Sequence, residues 1–336
     1  MPGTPAPHSL RAWWAQRPPA AGAAVMATGI VSVGLHLAGY EVLSRIALAV
    51  ACAAWLALAA DFAVRLVRWP RRWRQEAVTP GALTAVAATT VLGTRFSALG
   101  WQTLAAALLA LSALLWPGLL YAVVRHWHRG MPGAVFLGCV ATQGLAVLGA
   151  TLAAADTSAW LAHAALVLFW LGLVLYAVAL GRFDLRQVTE GPGDHWVAGG
   201  ALAISALAGS KLIAADSPRL YLWNVDADDV LHTVTGGLLA LDLAWYAVLL
   251  AAEFARPRTG YDVRRWATVF PLGMTAAATL SVAAALDVSW LEGPGEVLLW
   301  VAVAVWLVVA VGAVRAFRAY TGEGAGGAGL TSTARR

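Results

Sequence analysis

Long apolar stretches separated by short polar ones run the length of the chain, and within them polar and apolar residues do not alternate as they would along a half-buried strand. Ten such stretches can be read, at residues 18–39, 42–66, 79–97, 99–124, 133–154, 158–181, 194–213, 227–254, 265–286 and 293–319. A hydrocarbon core about 30 Å thick takes roughly 20 residues of helix, so each stretch predicts one membrane-spanning helix. In lipid every backbone N–H and C=O must be satisfied within its own helix or a closed barrel, and Ala/Leu/Val runs without alternation exclude the barrel. The expected fold class is an all-α membrane protein of ten transmembrane helices. Residues 1–17 then form a cytoplasmic N-terminal segment, 18–319 the membrane domain, and 320–336, rich in Gly, Ala and Thr, a disordered cytoplasmic tail. Short connections make neighbours antiparallel, so the helices pair as five hairpins.

Odd and even segments differ in character. Segments 1, 3, 5, 7 and 9 hold most of the intramembrane Gly, Thr, Ser and Gln, whereas 2, 4, 6 and 10 are Ala, Leu, Val and Trp almost throughout. Pro18, Pro19, Pro80, Pro132 and Pro192 stand at the starts of odd segments, where a missing N–H costs nothing; Pro271 lies inside segment 9. The expected arrangement puts odd helices inside and even ones against lipid, with Gly29, Gly93, Gly144 and Gly209 available for bends. At 100° per residue, one face of segment 1 carries Gly22, Val25, Gly29, Ser32 and His36, and one of segment 3 carries Thr84, Ala88, Val91 and Arg95. Segment 5 aligns Phe136, Cys139, Gln143 and Ala150; segment 7 aligns Gly200, Ile204, Leu207 and Lys211; segment 9 aligns Phe270, Gly273, Ala277 and Ser281. Faces this small-sided serve either close helix packing or the wall of a passage.

Composition agrees with the pattern: 60% hydrophobic and 12% charged residues with a mean hydropathy of +0.70 exclude an ordinary soluble domain. Charge sets the orientation, because cytoplasmic loops retain Lys and Arg. With the N-terminus inside, all but Arg45, Arg95, Lys211 and Arg219 of the 23 basic residues face the cytoplasm. Asp156, Asp216, Asp226, Asp228, Asp229, Asp287, Glu292 and Glu296 gather on the other side, so both termini are expected inside. The net charge of +5 is then a sum of juxtamembrane arginines beside anionic headgroups rather than a nucleic-acid footprint. Cys52 and Cys139 fall within spans and suggest neither a disulfide framework nor a metal site. The stretch to Trp14 lacks the apolar core and cleavage site of a signal peptide, and a chain whose only lysine is Lys211 fits the plasma membrane of a bacterium with a GC-rich genome.

Arg95 and Lys211 end two of the inner faces at the outer side, where a basic ring would favour anions; taken singly, each would snorkel to the headgroups. No carboxylate stands in the interior of an odd segment, as a cation path would require. Asp242, in "LALDLAWY", is the one carboxylate deep in a span, and is either a proton site or a side chain bonded to a neighbouring helix. Asp226, Asp228 and Asp229 faintly resemble a diphosphate-binding metal motif but lack a second acidic motif, and they sit where acidic residues complement a helix start. His126 and His128 in "RHWHRG" belong to a loop and, with Trp127, anchor an interface.

The segments "AAVMATGIVSVGL" (Ala23 to Leu35), "TAVAATTVLGTRF" (Thr84 to Phe96), "VATQGLAVLGATLA" (Val140 to Ala154), "ALAISALA" (Ala201 to Ala208) and above all "WATVFPLGMTAAAT" (Trp266 to Thr279) resemble the tellurite-resistance/dicarboxylate transporter family. That family includes bacterial tellurite-resistance channels, yeast malate and sulfite transporters and the slow anion channels of plant guard cells. The resemblance implies five hairpins in quasi-five-fold array around a central pore, odd helices lining it, and a homotrimer with one pore per protomer. It also implies a gate, a phenylalanine just before a proline on helix 9, which here is Phe270 before Pro271. Pro271 denies the Ala267 carbonyl its usual donor and should kink the helix so as to aim the ring inward.

The expected function is passage of small anions such as chloride, nitrate, sulfite, malate or tellurite across the bilayer, with no covalent chemistry, no enzyme activity and no cofactor or metal. The gate is Phe270 and Pro271. The lining is Gly29, Ser32, Thr84, Ala88, Val91, Gln143, Gly200, Leu207, Gly273 and Ala277, the basic outer mouth is Arg95 and Lys211, and Asp242 is the proton site of a coupled carrier, the alternative in the same fold. An alternative of another class is a sealed membrane sensor or scaffold. Partners are small anions and the lipid bilayer, not nucleic acid.

Overall fold

A computed structural model describes residues 22–156, 158–216, 225–257 and 262–327, without the side chains of 72, 225–228 and 320–327. Ten long helices account for most of it: α1 (Gly22–Leu37), α2 (Glu41–Arg68), α3 (Thr84–Ala98), α4 (Gln102–Val124), α5 (Leu137–Asp156), α6 (Ala159–Leu180), α7 (Val197–Ala215), α8 (Val225–Ala255), α9 (Trp266–Ala285) and α10 (Glu292–Gly327). Among the described residues eight of these, all but α1 and α3, are long and apolar enough to cross a membrane. The expected start of segment 1 lies outside the described residues, and α3 is extended at its start by a 3-10 turn, Pro80–Leu83. The expected tail is described only as far as Gly327, up to which α10 continues as helix. Arg219 and the side chains of Asp226 and Asp228 also fall outside the description.

Helix α5 begins with a second 3-10 turn, Gly133–Phe136, α7 with a third, Asp194–Trp196, and α9 with a fourth, Val263–Arg265. Prolines at 80, 132 and 192 precede or open three of them and set the φ such a start requires. The fourth is capped instead by Asp262, whose Oδ1 accepts from the Arg264 backbone N–H at 2.8 Å. These turns cluster at the arginine-rich end, called here the basic end. Two of them interlock there: a methyl added to Gly133 would lie 2.3 Å from the Asp194 carbonyl oxygen and 2.4 Å from His195 Cα. Met131 and Phe183 form an isolated parallel bridge beside them.

The odd helices make a closed ring, α1 against α3, α3 against α5, α5 against α7, α7 against α9 and α9 back against α1. Each even helix packs outside the ring on its hairpin partner and on the next odd helix. Of the apolar stretches, 83–94% is buried in α5, α7 and α9 but only 11–28% in α2, α4, α6, α8 and α10. Lipid tails are as apolar as Leu, so the ring is held by close packing and polar ties rather than by exclusion of water. The four glycines proposed above as bends are instead contact points: methyls added at them would meet Val91 (from Gly29), Leu148 (Gly93), Thr90 (Gly144) and Thr235 (Gly209) at 2.2–2.8 Å.

A polar tie recurs around the ring. Trp55 on α2 donates to Thr89 on α3 at 2.9 Å, Trp116 on α4 to Thr142 on α5 at 2.9 Å, and Trp306 on α10 to Thr28 on α1 at 3.0 Å. Each of these threonines also donates to the carbonyl four residues back, at 2.7–2.8 Å. An indole N–H in the membrane interior needs an acceptor, and a threonine oxygen that has already given its proton to its own helix supplies one.

Candidate functional site

On the axis of the ring lies a void of about 10 Å³, lined by Ile30 and Val33 of α1, Thr90, Val91 and Thr94 of α3, Gly144 and Val147 of α5, Ile204 and Leu207 of α7, and Met274 of α9. All five odd helices contribute. The two threonines turn their hydroxyls to their own helix, Thr90 to Ala87 O at 2.9 Å and Thr94 to Thr90 O at 3.0 Å. The wall is therefore apolar, and the space holds at most about one water. Phe270, 1% exposed, stands one turn before Met274 on α9, about 6 Å toward the basic end and on nearly the same face.

Of the lining expected from helical faces, Val91 and Leu207 are in this wall. The small residues serve the ring instead. Gly29 meets Val91, Gly200 meets Pro271 and Gly273 meets Ile30, each so closely that a methyl would come within 2.9 Å. Ala277 is buried on α9 outside the wall. Thr84 and Ala88 face a lateral cavity of about 300 Å³ beside α2 and α4. Two polar positions are corrected outright. Gln143 turns away from the axis and donates to the Phe169 carbonyl of α6 at 3.0 Å, fitting against Gly172. Ser32 exchanges hydrogen bonds with Ser44 of α2 at 2.6–2.7 Å. The reason is common to both: an amide or hydroxyl in hydrocarbon goes where a helix carbonyl can accept a second hydrogen bond, which leaves mostly apolar groups around the centre.

The basic mouth is corrected in half. Arg95 is 1% exposed and spent on α2, its Nη2 donating to Glu41 Oε1 at 2.7 Å and its Nε to Ser44 Oγ at 2.9 Å. Glu41 is shared with His36 Nδ1 at 2.8 Å and Arg45 Nε at 2.9 Å. A carboxylate two residues from a turn was invisible to the face count, yet it takes up the charge of Arg95. Lys211 lines a cavity of about 410 Å³ at the end opposite the basic one, with Ser210, Leu280, Ser281, Glu292 and Glu296.

Asp242 is wholly buried, although it sits on an even helix. It points inward, one of its oxygens 3.6 Å from where a Cβ on Gly199 of α7 would be. Thr275 of α9 lies beside it, but neither carboxylate oxygen has a hydrogen bond of acceptable geometry. Trp245 Nε1, one turn on, is equally without a partner.

Known proteins bear on this arrangement. The chain is 31% identical over 151 residues to uncharacterized membrane proteins of Mycobacterium tuberculosis strains CDC 1551/Oshkosh and H37Rv, a match covering 41% of this chain and 70% of each relative. Residues 16–314 match the profile of the voltage-dependent anion channel family, which spans every helix of the ring. A closed ring of five inner helices within an apolar helical protein is thus joined to a family match over nearly its whole length: the chain belongs to the voltage-dependent anion channel family.

Proposed function

We propose that the chain conducts small anions along the axis of the five-helix ring, that all ten helices span the bilayer with both termini in the cytoplasm, and that the structure describes the shut state. The observation that carries this reading is the axial void: five helices converge on one line, and apolar side chains alone close it. A constriction of that kind blocks ions because it stays dry, and it opens by a modest displacement of side chains. Phe270 is the gate. It lies on the axial face toward the cytoplasmic side of the void, on the helix whose Pro271 interrupts the backbone ladder. Assembly as a homotrimer, with one path per protomer, is tested by the mass of the detergent-solubilised protein.

The test of conduction is anion flux into liposomes carrying the purified protein. Phe270→Ala is expected to raise chloride flux at least about tenfold, since removing the ring widens the narrowest dry stretch. Unchanged flux with normal folding removes the gate. Zero flux in both proteins favours a sealed sensor or scaffold.

Asp242 supports a second reading, coupled movement of a weak acid and a proton. A carboxylate buried among Gly199, Thr275 and Trp245, with no cation beside it and no hydrogen bond of acceptable geometry, has the surroundings of a proton-holding site. An inward pH gradient should then drive uptake of the acid, and Asp242→Asn should abolish that drive while leaving exchange at equal pH. Gradient-independent flux rejects the coupling.

A further inference from the structure

The cavity around Lys211 is more than an entrance. Its walls come from the ends of α1, α7 and α9 and the first turns of α10. It stands over the axial void: Lys211 is one helical turn beyond Leu207, Leu37 one turn beyond Val33, and Ser281 two turns beyond Met274, distances of about 6, 6 and 10 Å along the helices. In each case the outer residue shares a face with the inner one.

Three charged groups line it, one cation and two carboxylates. Lys211 has no ion-pair partner within 4 Å among the described residues, and neither does Glu292. Glu296 is held in place by the Tyr40 hydroxyl, which donates to Oε1 at 2.5 Å, while Tyr40 stacks edge-on against Trp300. Ser210 donates to Ser281 across the same space at 3.1 Å. Arg95 and Arg45, at the same end, are absent from the cavity wall and already share Glu41.

We infer that this cavity is a charge filter, in which Lys211 admits a singly charged anion while Glu292 and Glu296 turn away dianions such as C4-dicarboxylates. This rests on the conduction reading above and narrows its substrate class. Attraction to Lys211 and repulsion from the two carboxylates both scale with the charge of the solute, but the cost of shedding water scales with its square. A monoanion can pair with the lysine at one side of a space this size and stand off from the glutamates. A dianion brings two charges into the same space, finds one cation, and next meets an apolar constriction with nothing to offset its dehydration.

Full-length protein in liposomes at neutral pH, with chloride and malate as the two probes, provides the test. Wild type should pass chloride at least about tenfold faster than malate. Glu292→Gln with Glu296→Gln should raise the malate-to-chloride ratio about tenfold, and Lys211→Gln should lower chloride flux. Glu292→Gln alone breaks no hydrogen bond that holds the fold and should give part of the same shift, which guards against misfolding of the double variant. Equal passage of malate by wild type overturns the filter, as does an unchanged ratio in the glutamine variants with chloride flux intact. In both cases conduction itself survives. Absence of chloride flux in wild type and in Phe270→Ala overturns conduction, and the filter with it.

Discussion

At the scale of single residues the recurring theme is that polar groups in the membrane are recruited by whatever can satisfy them. Arg95, Ser32 and Gln143 all lie on faces that sequence spacing aims at the axis, and all three turn aside to partners on even helices. The helical wheel gives the direction of a Cβ, but a long side chain then travels toward its partner, and Glu41, Ser44 and the Phe169 carbonyl could not be located without the fold. Arg95 and Glu41 are unequal partners, because the arginine is buried and the glutamate also binds His36 and Arg45. Glu41→Gln leaves a buried guanidinium with no compensating charge, whereas Arg95→Met leaves a carboxylate with two other donors. Thermal unfolding in detergent should therefore show a larger fall in melting temperature for Glu41→Gln than for Arg95→Met; the reverse order would show that the pair is not what holds the two helices there.

At the scale of elements, each of the ten apolar stretches falls on one long helix, with the start of segment 3 and the end of segment 10 the least exact, because a run of some 20 apolar residues has one physical meaning in a chain this hydrophobic. Which side each helix presents was legible only in part. The enrichment of Gly, Ser and Thr in odd segments pointed correctly to the interior, yet it marked where helices touch rather than what lines the axis, and Ile30, Val33, Val147 and Met274 carried no signal that set them apart from lipid-facing residues. Nor did the Trp–Thr ties announce themselves, since each joins two different hairpins and depends on how those hairpins pack. The interlocked turns at the basic end make a sharp prediction. Gly133→Ala drives a methyl into the Asp194–His195 backbone, which cannot yield as a side chain would, and should cost about 3 kcal/mol or more. Gly237→Ala on α8 meets open space and should be neutral or stabilising by up to about 1 kcal/mol. Comparable melting curves for the two would contradict the interlock.

At the scale of the molecule, the repetition of hairpin on hairpin makes a circle from a linear chain, and the seam between last and first carries the same kind of Trp–Thr tie as the first two seams. Trp306 ties α10 to Thr28, Gly273 of α9 rests on Ile30, and Gly34 of α1 receives Leu299. Residues more than 240 positions apart thus finish the structure. Biogenesis inherits a waiting period from this geometry: the first hairpin enters the bilayer with Thr28, Ile30 and Gly34 unmated on one flank, and no translation order can supply their partners before the ribosome has nearly ended its work. Until that moment the growing arc has two raw edges in lipid, and its final clasp is the step at which insertion becomes assembly.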